Sequence, residues 1–230
     1  NPTNTTTYTV TGTDANGCVN TAEVTIGIYP TYEFEETHSI CEGIVYTWHG
    51  NNYSITGTYY DSLQTLNGCD SVYILHLTVN PLPTITASAN PGTVCSGSSS
   101  TLTASGGDSY VWSTEETTTS ITVNPTNTTT YTVTGTDANG CENTATVSIS
   151  VNPLPTVSAS ANPSELCIGA STTISASGAS TYEWNNSETT ATFTVTPDET
   201  TTYIVTGTDA NGCENTAEVI VTVNPLPQLM

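Results

Sequence analysis

Twelve consecutive residues, TGTDANGCENTA, occur twice in identical form, at 134–145 and 206–217. The 72-residue interval between them holds for the flanking sequence too, so that 84–155 and 156–227 align without a gap. Repetition at this period limits the fold to small modules placed in series. A third, partial copy opens the chain: NPTNTTTYTVTGTDANGC at 1–18 recurs letter for letter at 124–141, an offset of 123. That offset exceeds one period by 51, which places a shorter module between Pro30 and Pro81. The predicted organisation is the C-terminal half of a repeat at 1–30, a short module at 31–83, full repeats at 84–155 and 156–227, and a further module or tail beginning at 228–230.

Each of these modules closes on Asn-Pro-Leu-Pro, at 80–83, 152–155 and 224–227. Proline lacks an amide donor and stiffens the backbone, so the motif reads as a short semi-rigid linker. Modules joined in this way are expected to stack end to end as a rod.

Within a repeat the hydrophobic period is two. In TATVSISV at 144–151, Ala145, Val147, Ile149 and Val151 share one face and Thr and Ser the other, the alternation of a half-buried strand. Leu102 with Ala104, Tyr110 with Trp112, Ile121 with Val123 and Tyr131 with Val133 supply further inward pairs. Ile174 with Ala176, Tyr182 with Trp184, Phe193 with Val195 and Tyr203 with Val205 match them one period later. Hydrophobic residues make up only 35% of the chain, too few for one large core but suited to several thin ones. The fold class expected is all-β, with six or seven strands per sandwich. The half repeat at 1–30 contains only a final hairpin, which cannot bury a core by itself; either the parent chain continues upstream or a neighbouring subunit completes it.

There is no Lys or Arg against 21 acidic residues, a formal charge of −21. Nucleic acid and anionic lipid are thereby excluded as partners, since both are held by cationic side chains. No apolar run is long enough to cross a bilayer, so no membrane insertion is expected within this segment. Lysine-dependent isopeptide bracing is excluded as well, which leaves cysteine as the only covalent brace.

The seven cysteines point to disulfides and an oxidising, extracellular compartment, and no C-x-x-C pair suggests zinc. Cys95 and Cys141 are 46 apart, as are Cys167 and Cys213, with Trp112 or Trp184 seventeen residues after the first. Cys41 and Cys69 hold the corresponding places in the short module, around Trp48. The spacing predicts bonds within modules: Cys41 with Cys69, Cys95 with Cys141, Cys167 with Cys213, and Cys18 with a cysteine outside the chain. A rival scheme joins the base of one module to the tip of the next, for example Cys95 with Cys213, because an immunoglobulin-type strand order would put the first pair at opposite poles.

Asp-Ala-Asn-Gly at 14–17, 137–140 and 209–212 reads as a hairpin turn. The alternative is a fragment of a calcium loop, with Asp14, Asn16, Asp137, Asn139, Asp209 and Asn211 as candidate Ca2+ ligands, although the distal Glu and flanking helices of an EF-hand are missing. No cofactor is required by anything in the sequence. His38, His49 and His76 lie only in the short module and read as ordinary strand and loop residues. Trp48, Trp112 and Trp184 are expected in the core; exposed, they would be platforms for sugars. Asn4, Asn52, Asn127 and Asn185 head N-x-S/T sequons, and Ser62 and Ser71 sit in D-S-apolar triplets similar to O-glycosylation motifs of exported Bacteroidota proteins.

The long repeat carries Y-x-W, TTTYTVTGTDANGC and a closing V-x-V-N-P-L-P, and resembles the PKD-like or immunoglobulin-like repeats of very large Bacteroidota surface proteins. The short module, with C-E-G-x-x-Y-x-W-x-G, T-G-T-Y and N-G-C-D-S, resembles another small repeat of such proteins. The resemblance implies tandem immunoglobulin-like or PKD-like β-sandwich modules at the bacterial cell surface, exported by the type IX route and serving adhesion, gliding or extracellular filaments. The expected function is a non-enzymatic stalk or filament segment. Its expected partners are further repeats of the same parent chain, a homo-oligomer or filament, and surface glycans. The alternatives are a glycan- or calcium-binding module, or accessory repeats of a larger secreted enzyme.

Overall fold

The computed structural model describes residues 1–64 and 69–228. Among them every regular element is a strand, as the alternation of apolar and hydroxyl residues predicts. The last two residues of the expected tail, 229–230, lie outside the described residues. The chain divides into two units: Asn1–Leu82 with Asn139–Cys141, and Pro83–Ala138 with the residues from Glu142 onward.

In the first unit, β1 (Thr6–Thr13) and β2 (Val19–Ile26) form an antiparallel two-stranded hairpin. β3 (Glu33–Cys41), β4 (Tyr46–Trp48), β5 (Asn51–Tyr53), β6 (Gly57–Gln64) and β7 (Asp70–Asn80) make up the short module. β7 is the centre of a three-stranded sheet, parallel to β3 on one side and antiparallel to β6 on the other. β4 and β5 form a separate hairpin. Ile40, Trp48, Leu75 and Leu77 are the buried core between them, with Tyr46, Tyr53, Tyr59, Tyr73 and Val79 packed around it.

The second unit holds two sandwiches of the same design. The first contains β8 (Thr86–Asn90), β9 (Thr93–Cys95), β10 (Ser100–Ser105), β11 (Ser109–Trp112), β12 (Ser120–Val123), β13 (Thr129–Thr136) and β14 (Glu142–Asn152). The second contains β15 (Ser158–Asn162), β16 (Glu165–Cys167), β17 (Thr172–Ser177), β18 (Thr181–Trp184), β19 (Thr192–Val195), β20 (Thr201–Thr208) and β21 (Glu214–Asn224). Sheet orders are β12-β10-β8 against β11-β13-β14-β9, and β15-β17-β19 against β16-β21-β20-β18. Three strands face four in the strand order of an immunoglobulin-type Greek key, the first strand being split so that its second half crosses to the other sheet. That crossing half, β9 or β16, runs parallel to the last strand, β14 or β21. The peptide bonds Asn90-Pro91 and Asn162-Pro163, at the two crossings, are cis.

The cores are those the alternation predicts. Leu102, Ala104, Tyr110, Trp112, Ile121, Val123, Tyr131, Val133 and Ile149 are buried together in the first sandwich. Leu166, Ile174, Ala176, Trp184, Tyr203, Val205 and Val221 form the equivalent core in the second. Each buried indole also satisfies its N–H, Trp112 Nε1 donating to Thr118 O at 3.0 Å and Trp184 Nε1 to Thr190 O at 3.1 Å, so these large side chains are held without an orphan donor.

The hairpin β1–β2 is an internal control on what makes this sequence stable. Tyr8 and Val10 are 47% and 66% exposed, whereas Tyr131 and Val133, in identical local sequence, are 8% and 0% exposed. The β-strand pairing forms in both places, but only the second has a facing sheet. The difference is the burial of two side chains worth roughly 1.5–3 kcal/mol each.

Candidate functional site: the disulfide seams

The Asp-Ala-Asn-Gly-Cys tip of each long hairpin is a turn closed on a carboxylate. Asp209 Oδ1 accepts the backbone N–H of Asn211 at 2.8 Å and that of Cys213 at 2.9 Å, while Asp209 N donates to Cys213 O at 2.9 Å. Gly212 takes φ +80°, the left-handed region that a side chain disfavours. Asp14 makes the same pair of contacts in the first hairpin, to Asn16 N at 2.9 Å and Cys18 N at 2.8 Å. The Cys213 amide, foremost, and the Asn211 and Gly212 amides stabilise the ionised Asp209 side chain and hold its pKa below the ordinary Asp value, against a smaller opposing effect of desolvation. The tip is thus a rigid mount for the cysteine that follows it.

The other half of the site is the end of the crossing strand. Cys95 lies level with Asn152 in the parallel β9–β14 pair, Cys167 with Asn224 in β16–β21, and Cys41 with Asn80 in β3–β7. In every case the module's own tip cysteine (Cys141, Cys213, Cys69) stands eleven residues earlier, just before the first residue of that last strand. Eleven residues of strand span about 36 Å, whereas a disulfide needs Cα atoms within about 7 Å. The predicted bonds Cys41 with Cys69, Cys95 with Cys141 and Cys167 with Cys213 are therefore ruled out by the strand order itself.

The disulfides are Cys41–Cys141 and Cys95–Cys213, each with Cα atoms 5.5 Å apart. They follow the rival scheme, in which the base of one module is bonded to the tip of the next. Cys141, with its neighbours from Asn139, belongs to the first unit, and Cys95 and Cys213 both belong to the second. The two covalent loops interleave, since Cys95 lies inside the loop closed by Cys41–Cys141 and Cys141 inside the loop closed by Cys95–Cys213. Cys141 and Cys213 are fully buried. Cys18 and Cys167 are exposed thiols.

A hydrogen bond that sequence reasoning missed accompanies the seam. Asn215, two residues past the tip cysteine, donates from Nδ2 to the carbonyl of Pro155 in the linker at 3.0 Å, and Asn143 donates likewise to Pro83 at 2.9 Å. The signal for it was the recurrence of Asn at that place beside each Asp-Ala-Asn-Gly-Cys tip, as Asn20, Asn143 and Asn215, and of Pro at the end of each linker.

The remaining candidate residues are placed as follows. The calcium candidates Asp14, Asn16, Asp209 and Asn211 form the closed turns described above, and Asp137 and Asn139 occupy the same positions in the repeat 84–155. Among the described residues no group of three or more His, Cys, Asp or Glu side chains is close enough to hold a metal ion. Trp48, Trp112 and Trp184 are all buried, as expected of core residues. Asn4, Asn52, Asn127 and Asn185 are exposed, although Asn185 already donates from Nδ2 to Thr202 O. Ser62 is exposed on β6, but Ser71 is buried in β7. Attachment at Ser71 is corrected accordingly, since a glycan there has no room in the folded sheet.

In the short module His49 Nδ1 meets Asp61 Oδ2 at 2.7 Å, a pair the sequence did not single out. Phe34, Glu35, Glu36, Trp48, His49 and Tyr73 line a shallow recess there, with Phe34 stacked on Tyr73. His38 stacks on Tyr46, and His76 Nδ1 lies 3.1 Å from the Thr58 hydroxyl.

No protein-family profile matches the sequence, and no curated protein matches it. Among solved structures, the N-terminal eight immunoglobulin domains of Down syndrome cell adhesion molecule are similar at 12% identity and a TM-score of 0.38, over 95% of this chain and 43% of that one. A bacterial ice-binding adhesin of 1.5 MDa, described for host cell surface retention, is similar at 16% identity and a TM-score of 0.32, over 98% and 89% of the two chains. A Ca2+-stabilized adhesin with which an Antarctic bacterium binds ice gives 14% identity and a TM-score of 0.32, over 95% and 81%. Likenesses at these scores assign no function to this chain.

Proposed function

We propose that this chain is a non-enzymatic, extracellular structural segment, a stalk or filament of a bacterial surface protein, in which successive modules are covalently stapled to one another. The observation that carries the reading is the placement of the disulfides at seams between modules. A sandwich already held by its own core gains little structural identity from a bond to a neighbour, but a series of such bonds resists separation of the modules and relieves the linkers of load. Disulfides also suit an oxidising compartment, and the charge of −21 suits a long, soluble, self-repelling protein. The Asn-Pro-Leu-Pro linkers and the resemblance to repeats of large Bacteroidota surface proteins support a tandem array serving adhesion or appendage architecture. The test is surface labelling of intact source cells with antibody to residues 84–227, combined with a membrane-impermeant reductant. Labelling without permeabilisation, and a fall in the force needed to detach the cells after reduction, are expected. Labelling only after permeabilisation would contradict the reading.

One observation favours a second reading for the short module. The recess of Phe34, Tyr73 and His49 with Glu35 and Glu36 combines an aromatic surface with hydroxyl-binding carboxylates, the pairing that receives a neutral sugar. Loss of glycan-array binding in Phe34→Ala would support it, and an array blank for the unsubstituted chain would exclude it.

A further inference from the structure

We propose that the open edge of β3 is a docking site for an extended, cationic segment of another protein, which adds to the short module's sheet as a further strand and sets lysine or arginine side chains beside Glu33 and Glu35. The proposal goes beyond the stapled-segment reading and is tested separately from it.

The edge is unlike those of the two sandwiches. Their sheets end on β8, β9, β11 and β12, and on β15, β16, β18 and β19, all strands of three to five residues. Short edge strands protect a sheet from pairing with another chain. β3 has nine residues and no proline, and it stands at the end of the order β3-β7-β6. Each long repeat splits the strand that leads to its base cysteine, whereas the short module keeps it whole and parallel to β7 throughout. Among the described residues every sheet is built from strands of a single module, so the open edge is a property of the module's own topology.

The backbone of that edge is available. Tyr32 O accepts from Val72 N at 2.9 Å, and Glu42 N donates to Asn80 O at 2.8 Å, so the even-numbered residues of β3 turn their main-chain groups toward β7. These groups alternate from side to side along a strand, and Glu33, Glu35, Thr37 and Ser39 therefore turn theirs outward. All four residues are exposed, and among the described residues no further strand pairs with them. A strand laid here gains a ladder of main-chain hydrogen bonds. Ile40 is buried and Phe34 stacks on Tyr73, so the even side chains share the face toward the core and Glu33 and Glu35 lie on the opposite face.

Charge selects the occupant. Glu33, Glu35 and Glu36 crowd the first half of β3 in a chain of charge −21 that has no Lys or Arg. A second copy laid on this edge brings like charges together and has no side-chain cation to offset them. A foreign strand with lysine or arginine at alternate positions sets its cations opposite Glu33 and Glu35, at about 4.5–5.5 Å between Cβ atoms, and the acidic chain steers its approach. The opposite edge, β6, carries one acidic residue, Asp61, and that carboxylate is taken up by His49 at 2.7 Å. Main-chain bonds supply the affinity at β3, and the carboxylates supply the choice of partner.

The experiment titrates the full chain with a short fluorescent peptide that alternates lysine with valine and threonine, read by anisotropy and by amide hydrogen exchange. Binding that weakens as salt is added is expected, with slowed exchange at Glu35, Thr37 and Ser39. Thr37→Pro removes an outward amide and leaves the β7 ladder intact, and it is expected to weaken binding roughly tenfold. The same peptide methylated on the amide nitrogens that face β3 is expected not to bind the unsubstituted chain, which keeps the test independent of how the variant folds. Absence of binding overturns the proposal, as does equal binding of the methylated peptide or of one with glutamate for lysine. Protection of β6 amides in place of β3, or protection of β3 on concentrating the chain alone, overturns it too.

Discussion

Cys95 lies level with Asn152 at one end of the β9–β14 pair, and its sulfur is bonded to Cys213 in the next sandwich. The bond therefore closes a loop of 118 residues in sequence, for which the chain-entropy account gives about 4–5 kcal/mol of stabilisation. Cys95→Ser and Cys213→Ser are expected to lose about the same stability in urea unfolding of the second unit. The double variant is expected to lose no more than the worse single one, because both remove one interaction. Additive losses would mean that the two cysteines act separately.

The interleaved bonds also set the reach of the chain under tension. The shortest covalent path runs from residue 1 to 41, across to 141, back to 95, across to 213 and on to 230. About 124 residues lie off that path, or roughly 40 nm of contour at ~3.3–3.6 Å per residue. Single-molecule stretching to full extension should gain that length on adding a reductant. Release of only the linkers' few nanometres would contradict the interleaved arrangement.

A glycine common to all three hairpins gives an internal control on packing. A Cβ at Gly135 would run into the side chain of Ile85, and one at Gly207 into Val157 and Ala179, whereas one at Gly12 meets nothing within 4 Å. Gly135→Ala and Gly207→Ala are expected to destabilise by about 1–3 kcal/mol through overpacking, and Gly12→Ala to leave stability unchanged. Thermal unfolding of the three variants checks this.

The tip turn makes a pH-dependent contribution whose sign is fixed. The Asp209 pKa is lowered by the Cys213 amide and its neighbours, so the folded state favours the ionised form. Its stabilising effect is present above the unfolded-state pKa and is lost as pH falls through the lowered folded value. Asp209→Asn should therefore be less stable than the parent at pH 7, with the gap closing in acid. A gap that is constant with pH would mean that the carboxylate charge plays no part.

How far the sequence carried the fold can be read from particular residues. Leu102, Trp112, Val133 and Ile149 were legible because strands of four to eleven residues leave a period of two that identifies the buried face. The partner of Cys95 was not. It depends on β9, a strand of only three residues that pairs in parallel with β14. Three residues carry no period, and nothing in their composition distinguishes a crossing strand from a turn. The equal spacing of 46 between Cys95 and Cys141 and between Cys167 and Cys213 pointed to bonds inside modules. In fact equal spacing follows from repetition whichever cysteines are joined. The His49–Asp61 pair was hidden for a related reason, since it joins a β-turn to a neighbouring strand across twelve residues with no motif linking them.

Non-reducing peptide mapping of the native chain tests the stapling most directly, with a protease specific for acidic residues because the sequence has no Lys or Arg for trypsin. The structure predicts fragments linked Cys41 to Cys141 and Cys95 to Cys213. Fragments linked Cys41 to Cys69, Cys95 to Cys141 and Cys167 to Cys213 would contradict it and return each module to an independently braced unit.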